Sequence, residues 1–541
     1  MKSHSNRNTI NRRDFLKGLA AAGLALGSGS LIGSTRADTS AGMGAPASAR
    51  LTISPNDILN SIPADYTGLS FETMQLEDPS YFAKENREFV DILKRLSPRG
   101  VLRIGGNSSE FCYWKDSPDA GPPAPKTSGI GNPDNWMPQK FHAITPQAID
   151  NLAGFLHATG WTAIYGLNLG TGSPERDSAE AEYVARALGA KLRYFQIGNE
   201  PDLYNRPNNG LRPPDWGFSD YLNEWTAIAD AVIARVPQAQ FAGPDVASDS
   251  DWIVQFSQQA PDRLKGHIGI LSGHYYASGP PDNPRVTIAN LLKPNASIAN
   301  HMGQIIPAAK SAGLEFRMTE GNSCYRGGKP GMSNAFASAL WGADYMLEMA
   351  SLGGKGINFH SGSGHAIAQS LGGHLPGARN DADLEAAKLG TFYAPVAGSP
   401  QAGYYARPLY YGMILAQQFA GTEMVTSNFD PGAVNATAYA ARDNHGYRIA
   451  LFNKDDTNDL AVTIAVDPGS PSLDDAELWR LTGPALDSTS GVMLACASVG
   501  PGGAWKVASR EHIAPRDGIL TIALPHASAA LLFVAARSET Q

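Results

Sequence analysis

The sequence predicts an α/β fold, a (β/α)₈ barrel followed by a β-sandwich, on three observations. From about residue 66 to about residue 363, eight short apolar strands alternate with segments of helical period. Beyond about residue 425 the helical period gives way to strand-like runs separated by Asn, Asp, Gly and Pro. Of the 541 residues, 43% are hydrophobic and 17% charged, with 57 Gly and 37 Pro. That is too apolar for a disordered chain and too often interrupted for a coiled coil or a helical repeat.

Before the barrel stand 60 residues of different character. Arg12-Arg13-Asp14-Phe15-Leu16-Lys17 leads into an apolar, Gly/Ala-rich stretch from Leu19 to Ile32. Thr35-Arg36-Ala37 then supplies the small residues of a cleavage site. Residues 1–37 resemble a bacterial twin-arginine export signal, which implies a periplasmic or secreted protein that crosses the membrane folded. The apolar stretch is shorter than the ~20 residues of a membrane span, so no stable membrane association is expected after cleavage. Residues 38–48 are small and polar and are expected to be flexible. Residues 49–60 are expected to add a strand to the sandwich.

The barrel is expected over 61–424. Its strands are 66–72, 101–106, 162–170 and 192–200, then 240–246, 269–276, 315–322 and 356–363. Amphipathic stretches such as 85–96, 219–236 and 334–351 lie between them. An open, doubly wound sheet competes with the barrel on this pattern. The sandwich is expected over 425–541, with strands at 446–453, 460–466, 476–481, 518–524 and 527–536.

Composition removes several functional classes. Cys112, Cys324 and Cys496 make neither a disulfide scaffold nor a CxxC or Cys/His cluster, so no structural zinc is expected. The whole-chain charge is −8; without residues 1–37, which hold six Lys/Arg and one Asp, it is −13. Nucleic acid is therefore not the expected partner.

In a (β/α)₈ barrel the reacting groups sit at the carboxyl ends of the strands. Those ends are Glu72, Asn107, Asn168, Asn199-Glu200, Asp245, His274 with Tyr276, Glu320 and His360. The set is rich in carboxylates and amides. Two carboxylates cleave a glycosidic bond without metal or cofactor: one donates a proton to the leaving oxygen, the other attacks or activates water. Glu200, closing strand four, and Glu320, closing strand seven, are the expected pair, since a Glu on a core strand is costly unless neutral or paired. Either alone has the alternative of an ordinary ion-paired or capping carboxylate.

Asn199-Glu200-Pro201 on strand four and Glu320 on strand seven resemble the signature of glycoside hydrolase clan A, a set of retaining (β/α)₈ enzymes. SFE at 70–72, RIGGNSS at 103–109, QIGNEPDLY at 196–204 and TEGNS at 319–323 are similar, more narrowly, to glycoside hydrolase family 79, which contains β-glucuronidases and heparanase-related enzymes. The resemblance implies Glu200 as general acid/base and Glu320 as nucleophile, the latter oriented by Tyr276 of His274-x-Tyr276. It implies Asn199 at the sugar 2-hydroxyl, Glu72 at other hydroxyls, and Tyr325 and Tyr393 at the glucuronate carboxylate. His360 is a candidate subsite residue with a packing alternative, and Arg326 and Lys329 are candidates for positive potential at the rim. The segment 364–390 is longer than the family suggests.

The function expected is a retaining exo-β-glucuronidase with a carbohydrate partner and no cofactor. The alternatives are an endo-acting, heparanase-like enzyme, another clan A β-glycosidase, a non-catalytic carbohydrate-binding barrel and an exported oxidoreductase. A chain at −13 repels sulfated glycosaminoglycans, which disfavours the first of these. Gly105-Gly106-Asn107-Ser108-Ser109 lacks the spacing of a dinucleotide loop, and Ser108 and Ser109 lack a nucleophile elbow. Cys324, Trp161, Trp216 and Trp225 read as packing residues.

Overall fold

All eight barrel strands form in the computed structural model, which describes residues 46–124, 137, 140–470 and 472–535. They are Thr67–Glu72, Val101–Gly105, Thr162–Leu167, Leu192–Ile197, Phe241–Val246, Ile268–Tyr276, Phe316–Asn322 and Ile357–His360. Each pairs in parallel with its sequence neighbours, and the eighth closes on the first with His360 opposite Ser70. That closure eliminates the open sheet. The export signal, residues 1–37, lies outside the described residues, as does the segment 38–45.

Strand one (TGLSFE) and strand two (VLRIG) are buried at every position, as parallel strands covered on both faces must be. Helix Phe336–Ser351 is buried nearly all round rather than on one stripe. Its outer face meets helix Pro408–Gln417 and the C-terminal sheet instead of water. Asp344 of that helix fixes the contact, accepting from Lys454 Nζ at 2.5 Å, Thr437 Oγ1 at 2.6 Å and Tyr439 OH at 2.9 Å. Trp161, Trp216 and Trp225 are core residues, and Cys112 and Cys324 are buried free thiols.

Nine C-terminal strands and the N-terminal strand Ala47–Ser61 form one continuous ten-stranded sheet. Its end strand Leu520–Leu524 touches Gly446–Asn453 and Ser528–Ala535 from the other half. The sheet therefore curls over a single apolar core that includes Leu51, Ile53, Ile449, Val462, Ile522 and Leu532. Strand Ala47–Ser61 joins the halves, antiparallel to Glu423–Asp430 and parallel to Leu460–Val466. Register shifts between Ser54 and Asn60 bend it to serve both. It begins at Ala47, inside the stretch expected to be flexible, because Ala47–Ala49 pair with Leu460–Val462. Among the described residues no helix is long and apolar enough to cross a membrane.

Candidate active site

Eight parallel strands end at one mouth, so their last side chains converge whatever their chemistry. Here they border a cavity of about 660 Å³ lined by Glu72, Asn107, Glu200, His274, Tyr276, Glu320, Tyr325, His360 and Tyr393, among others. Asn168 is not brought in: its Oδ1 accepts from the amides of Thr171 and Gly172, and its Nδ2 donates to Cys112 O. It shapes its loop.

Beneath the cavity lies Arg103, in the middle of strand two and fully buried. Its Nη1 donates to Glu320 Oε2 at 2.6 Å and to Ser70 Oγ at 3.1 Å. Nη2 reaches Asp245 Oδ2 at 2.6 Å and Asn199 Oδ1 at 2.8 Å, and Nε reaches Gln196 Oε1 at 2.9 Å. Every branch of the fork is satisfied, which a buried guanidinium requires. Gly105 makes the room, since a Cβ there would collide with the Arg103 guanidinium.

Glu320 receives a second donor, Tyr276 OH, at 2.8 Å. Burial alone would raise its pKa. The nearby His360 and His274, with Arg103 and the Tyr276 hydroxyl, outweigh burial and hold the carboxyl well below its ordinary range. Glu320 is thus held as a carboxylate although it is buried.

Glu200 is held differently. Its backbone is left-handed, φ 50°, and its amide donates to Asp245 O at 2.9 Å; Asp245 is left-handed as well, φ 63°. Two non-glycine residues in that region at one site mark backbone placed for function rather than for ease. The Glu200 Oε1 atom lies 3.0 Å from His274 Nδ1. On its other side His274 Nε2 is 3.2 Å from Asp245 Oδ1, too poorly aligned for a good hydrogen bond but close enough for strong charge interaction. Burial would lower the His274 pKa; Asp245, then Glu320, overcome this and push it up to about 10. Burial would raise the Asp245 pKa, but His274 and Arg103 outweigh it and hold Asp245 below the usual carboxylate range. One oxygen of Glu200, one nitrogen of His274 and one oxygen of Glu320 all lie within 4.8 Å of one another. With His274 an imidazolium and Arg103 alongside, positive charge is already supplied at the position where a metal would have to provide it.

Asn199 presents its Nδ2 to Asn107 Oδ1 at 3.1 Å, while its backbone amide donates to the buried Glu110 at 2.6 Å. Glu72 accepts from the Ser108 amide at 2.8 Å and hydroxyl at 2.7 Å, and lies 3.4 Å from His360 Nε2. Gly106, at φ 74°, leaves the Glu72 carboxylate its space. His360 also meets Ser70 Oγ at 3.0 Å, so it belongs to the network and not to packing alone. Tyr276 lies with ring centroids 6.2 Å from Tyr325 and 6.4 Å from Tyr393, making a tyrosine cluster beside Glu320. Tyr325 is the exposed member and Tyr393 the buried one. Arg326 sits over the Tyr325 ring at 5.9 Å. Lys329 does not reach the cavity; its Nζ donates to Val286 O.

Arg103 is absent from the sequence-derived set, and Asp245 and His274 stand in it without an assigned part. The last two are visible as strand ends. The signal for Arg103 is a lone cation in the otherwise apolar five-residue strand VLRIG, which ends on Gly105 and is followed by Gly106.

Three comparisons bear on the chain. A model of the twin-arginine translocation pathway signal sequence matches residues 9–29, so the chain carries an export signal of that route. A β-glucuronidase of Aspergillus niger is 25% identical over 402 residues, 70% of this chain and 68% of that protein. A β-glucuronidase of Neurospora crassa is 27% identical over 297 residues, 49% of this chain and 51% of that protein. Among solved structures, a 4-O-α-L-rhamnosyl-β-D-glucuronidase from Fusarium oxysporum matches with TM-score 0.65 at 19% identity, over 89% of this chain and 99% of that one. A family 51 arabinofuranosidase from Xanthomonas axonopodis pv. citri matches with TM-score 0.62 at 16% identity, over 90% and 99%. The two structural likenesses are likenesses of fold.

Proposed function

We propose that this chain is a retaining exo-β-glucuronidase, a glycoside hydrolase that removes terminal β-linked glucuronate. The observation that carries the reading is the pair Glu200 and Glu320: two carboxylates from strands four and seven, with oxygens within 4.8 Å, set in unlike surroundings. Retaining enzymes hold the two carboxyl groups about 5–5.5 Å apart, inverting ones about 6.5–9.5 Å, to admit a water.

Glu320, kept ionised by Arg103 and Tyr276, attacks the anomeric carbon. Glu200 gives its proton to the glycosidic oxygen as that bond breaks. The glycosyl ester on Glu320 is then hydrolysed by a water that loses its proton to Glu200. Charge is consistent with the sequence of steps. Arg103 and His274 balance Glu320 and Asp245, so a proton on Glu200 leaves these five groups neutral. Asn199 and Glu72 serve sugar hydroxyls.

The names of the two fungal relatives support glucuronate as the sugar. So does the cluster of Tyr325 and Tyr393 with Arg326 beside Glu320, which offers hydroxyl donors and a cation to a carboxylate at C5. Ile367, Ser370 and Leu371, from the long segment after strand eight, wall the cavity on that side. They are backed by Leu375, Ala387 and Phe392, which favours a pocket that ends over an open cleft.

A panel of aryl β-glycosides bearing gluco, glucurono, galacto and xylo sugars tests the reading. The glucuronide should be turned over fastest, with net retention by NMR of the first-formed product. Preference for another sugar discards glucuronate, and net inversion discards the two-step mechanism.

A further inference from the structure

Glu110 is fully buried in the 3₁₀ turn Asn107–Phe111 that follows strand two, and its carboxyl group meets the loops after strands three and four. Oε2 accepts from the Gly170 amide. Oε1 accepts from the Asn199 amide at 2.6 Å and from Ser109 Oγ at 3.1 Å. The Tyr204 hydroxyl bonds the same carboxyl group. Burial raises the Glu110 pKa, and these donors work against the rise. Gly170 leaves it room, since a Cβ there would lie 2.8 Å from the Glu110 side chain. Asn199 and Tyr204 are the two ends of the segment that carries Glu200, so Glu110 grips that segment at both ends. The far end is itself fixed, the Tyr204 ring stacking on Trp216 with centroids 5.6 Å apart. At the near end Gly198 at φ 88° and Glu200 at φ 50° flank Asn199. A left-handed non-glycine persists only where its surroundings fix it. Three successive amides do so: Gly198 donates to Leu167 O at 3.1 Å, Glu200 to Asp245 O at 2.9 Å, and Asn199 between them to Glu110.

We propose that Glu110 is a positioning residue for the reaction: it locks the segment 199–204 so that the Glu200 carboxyl stays aimed at the glycosidic oxygen. This rests on the two-glutamate reading, in which Glu200 moves the proton. The amides of Gly170 and Asn199 can only donate, and they bond different oxygens, so a side chain with two acceptor oxygens is needed to satisfy both. Glutamine would turn an NH₂ toward one of them. The Asn199 side chain keeps anchors of its own, Arg103 Nη2 at 2.8 Å and Asn107 Oδ1 at 3.1 Å. Slack at the Asn199 amide therefore passes along the chain to Glu200 rather than to the sugar contact. A misplacement of about 1 Å at an acting group costs on the order of 10²-fold in rate.

The test compares the mature enzyme with Glu110→Gln on two β-glucuronides that differ in their need for a proton. The phenyl leaving group must be protonated as it departs; the 2,4-dinitrophenyl group leaves without it. For the variant, kcat/KM on phenyl glucuronide should fall by roughly 10- to 100-fold and on the dinitrophenyl substrate far less. Azide should speed turnover of dinitrophenyl glucuronide by the variant and not by wild type, because Glu200 is also the base that activates water in the second step. The ratio of the two losses does not depend on how much enzyme is folded, so it separates positioning from lost stability. Tyr204→Phe, which releases only the far end of the segment, should shift the ratio in the same direction by less, and it decides the matter if Glu110→Gln does not fold. Equal losses on the two substrates, or none on either, overturn the assignment while the Glu200 reading stands. Glu200→Ala, measured alongside, sets the full leaving-group effect; if it loses both substrates alike, the acid/base reading falls and the part of Glu110 falls with it.

Discussion

The barrel buries an arginine near each of its ends, and the two are treated in opposite ways. At the carboxyl end Arg103 is wrapped by ionised partners, Glu320 and Asp245, together with Ser70, Asn199 and Gln196. Burial presses its pKa down, but those carboxylates reverse the balance and raise it. At the amino end Arg317 is 3% exposed and meets neutral acceptors: Asn358 Oδ1, Asp65 O and Tyr66 O. Burial, with Arg193 nearby, lowers its pKa. Each lies over a glycine, Gly105 or Gly356, whose Cβ would strike the guanidinium. The same device serves as a charged platform where chemistry is done and as a plug for strand ends where it is not. What distinguishes them is whether the surrounding acceptors are charged.

That contrast is open to direct test. Glu320→Ala should cost at least roughly 10⁴-fold in kcat, the scale of removing the acting group of a covalent catalyst. Glu200→Ala should spare glycosylation by substrates with very acidic leaving groups, and azide should then yield a β-configured adduct. Identical behaviour of the two variants across leaving groups would reverse the assignment. Next in size is Arg103→Lys, which keeps the charge but loses the fork; kcat/KM should fall by roughly 10²–10³-fold. A loss below tenfold would make the carboxyl-end arginine as passive as its counterpart.

Tyr325→Phe removes one hydroxyl. A hydrogen bond to a charged group is worth about 1.5–3 kcal/mol, so activity on an aryl glucuronide should drop roughly 10- to 150-fold. Slow activity on the matching glucoside should fall much less; equal losses would remove Tyr325 from recognition of the carboxylate. Arg317→Met, by contrast, should leave kcat within roughly twofold while lowering stability by about 3 kcal/mol, because buried acceptors lose their donors. A fall in kcat comparable with that of the Arg103 variant would erase the distinction between the two ends.

The smallest effect is in pH dependence. His274 is raised from 6.5 to about 10, so the folded state holds its proton more tightly than the unfolded chain. Its stabilisation is complete below pH 6.5 and is lost as pH rises toward about 10. The Tm advantage of wild type over His274→Gln should therefore shrink by a few degrees across that interval, as followed by calorimetry. An advantage that grows with pH would mean a neutral ring.

The two arginines also mark what could be read in advance. Both appear in the sequence as the single cation of their strand, VLRIG or FRMTEGN, with nothing to tell platform from plug. The difference depends on which residues stand opposite them after closure, and on distance along the strand from the reacting end. Glu200 and Glu320 were legible because they stand at strand ends in a recognisable surrounding pattern. His274 and Asp245 were visible as positions but not as partners, since His274 takes its role from Glu200, 74 residues away, and Asp245 from Arg103, 142 residues away. The strand periods showed the eight-strand alternation, whereas the choice between closed barrel and open sheet lay in pairing that no local pattern encodes. The curled single sheet was hidden for a similar reason: the bend in Ala47–Ser61 is set by partners that lie far along the chain.

That first strand has a consequence in time. Its partners are Glu423–Asp430 and Leu460–Val466, so it waits unpaired through most of translation and finds its place only when the ribosome has nearly finished. The export signal at residues 9–29 is made first, yet the strand that begins 18 residues behind it, at Ala47, cannot pair until Glu423–Asp430 and Leu460–Val466 have been made. A translocation route that accepts finished proteins suits such a chain, because threading it outward as it emerged would draw the strand away before its neighbours existed.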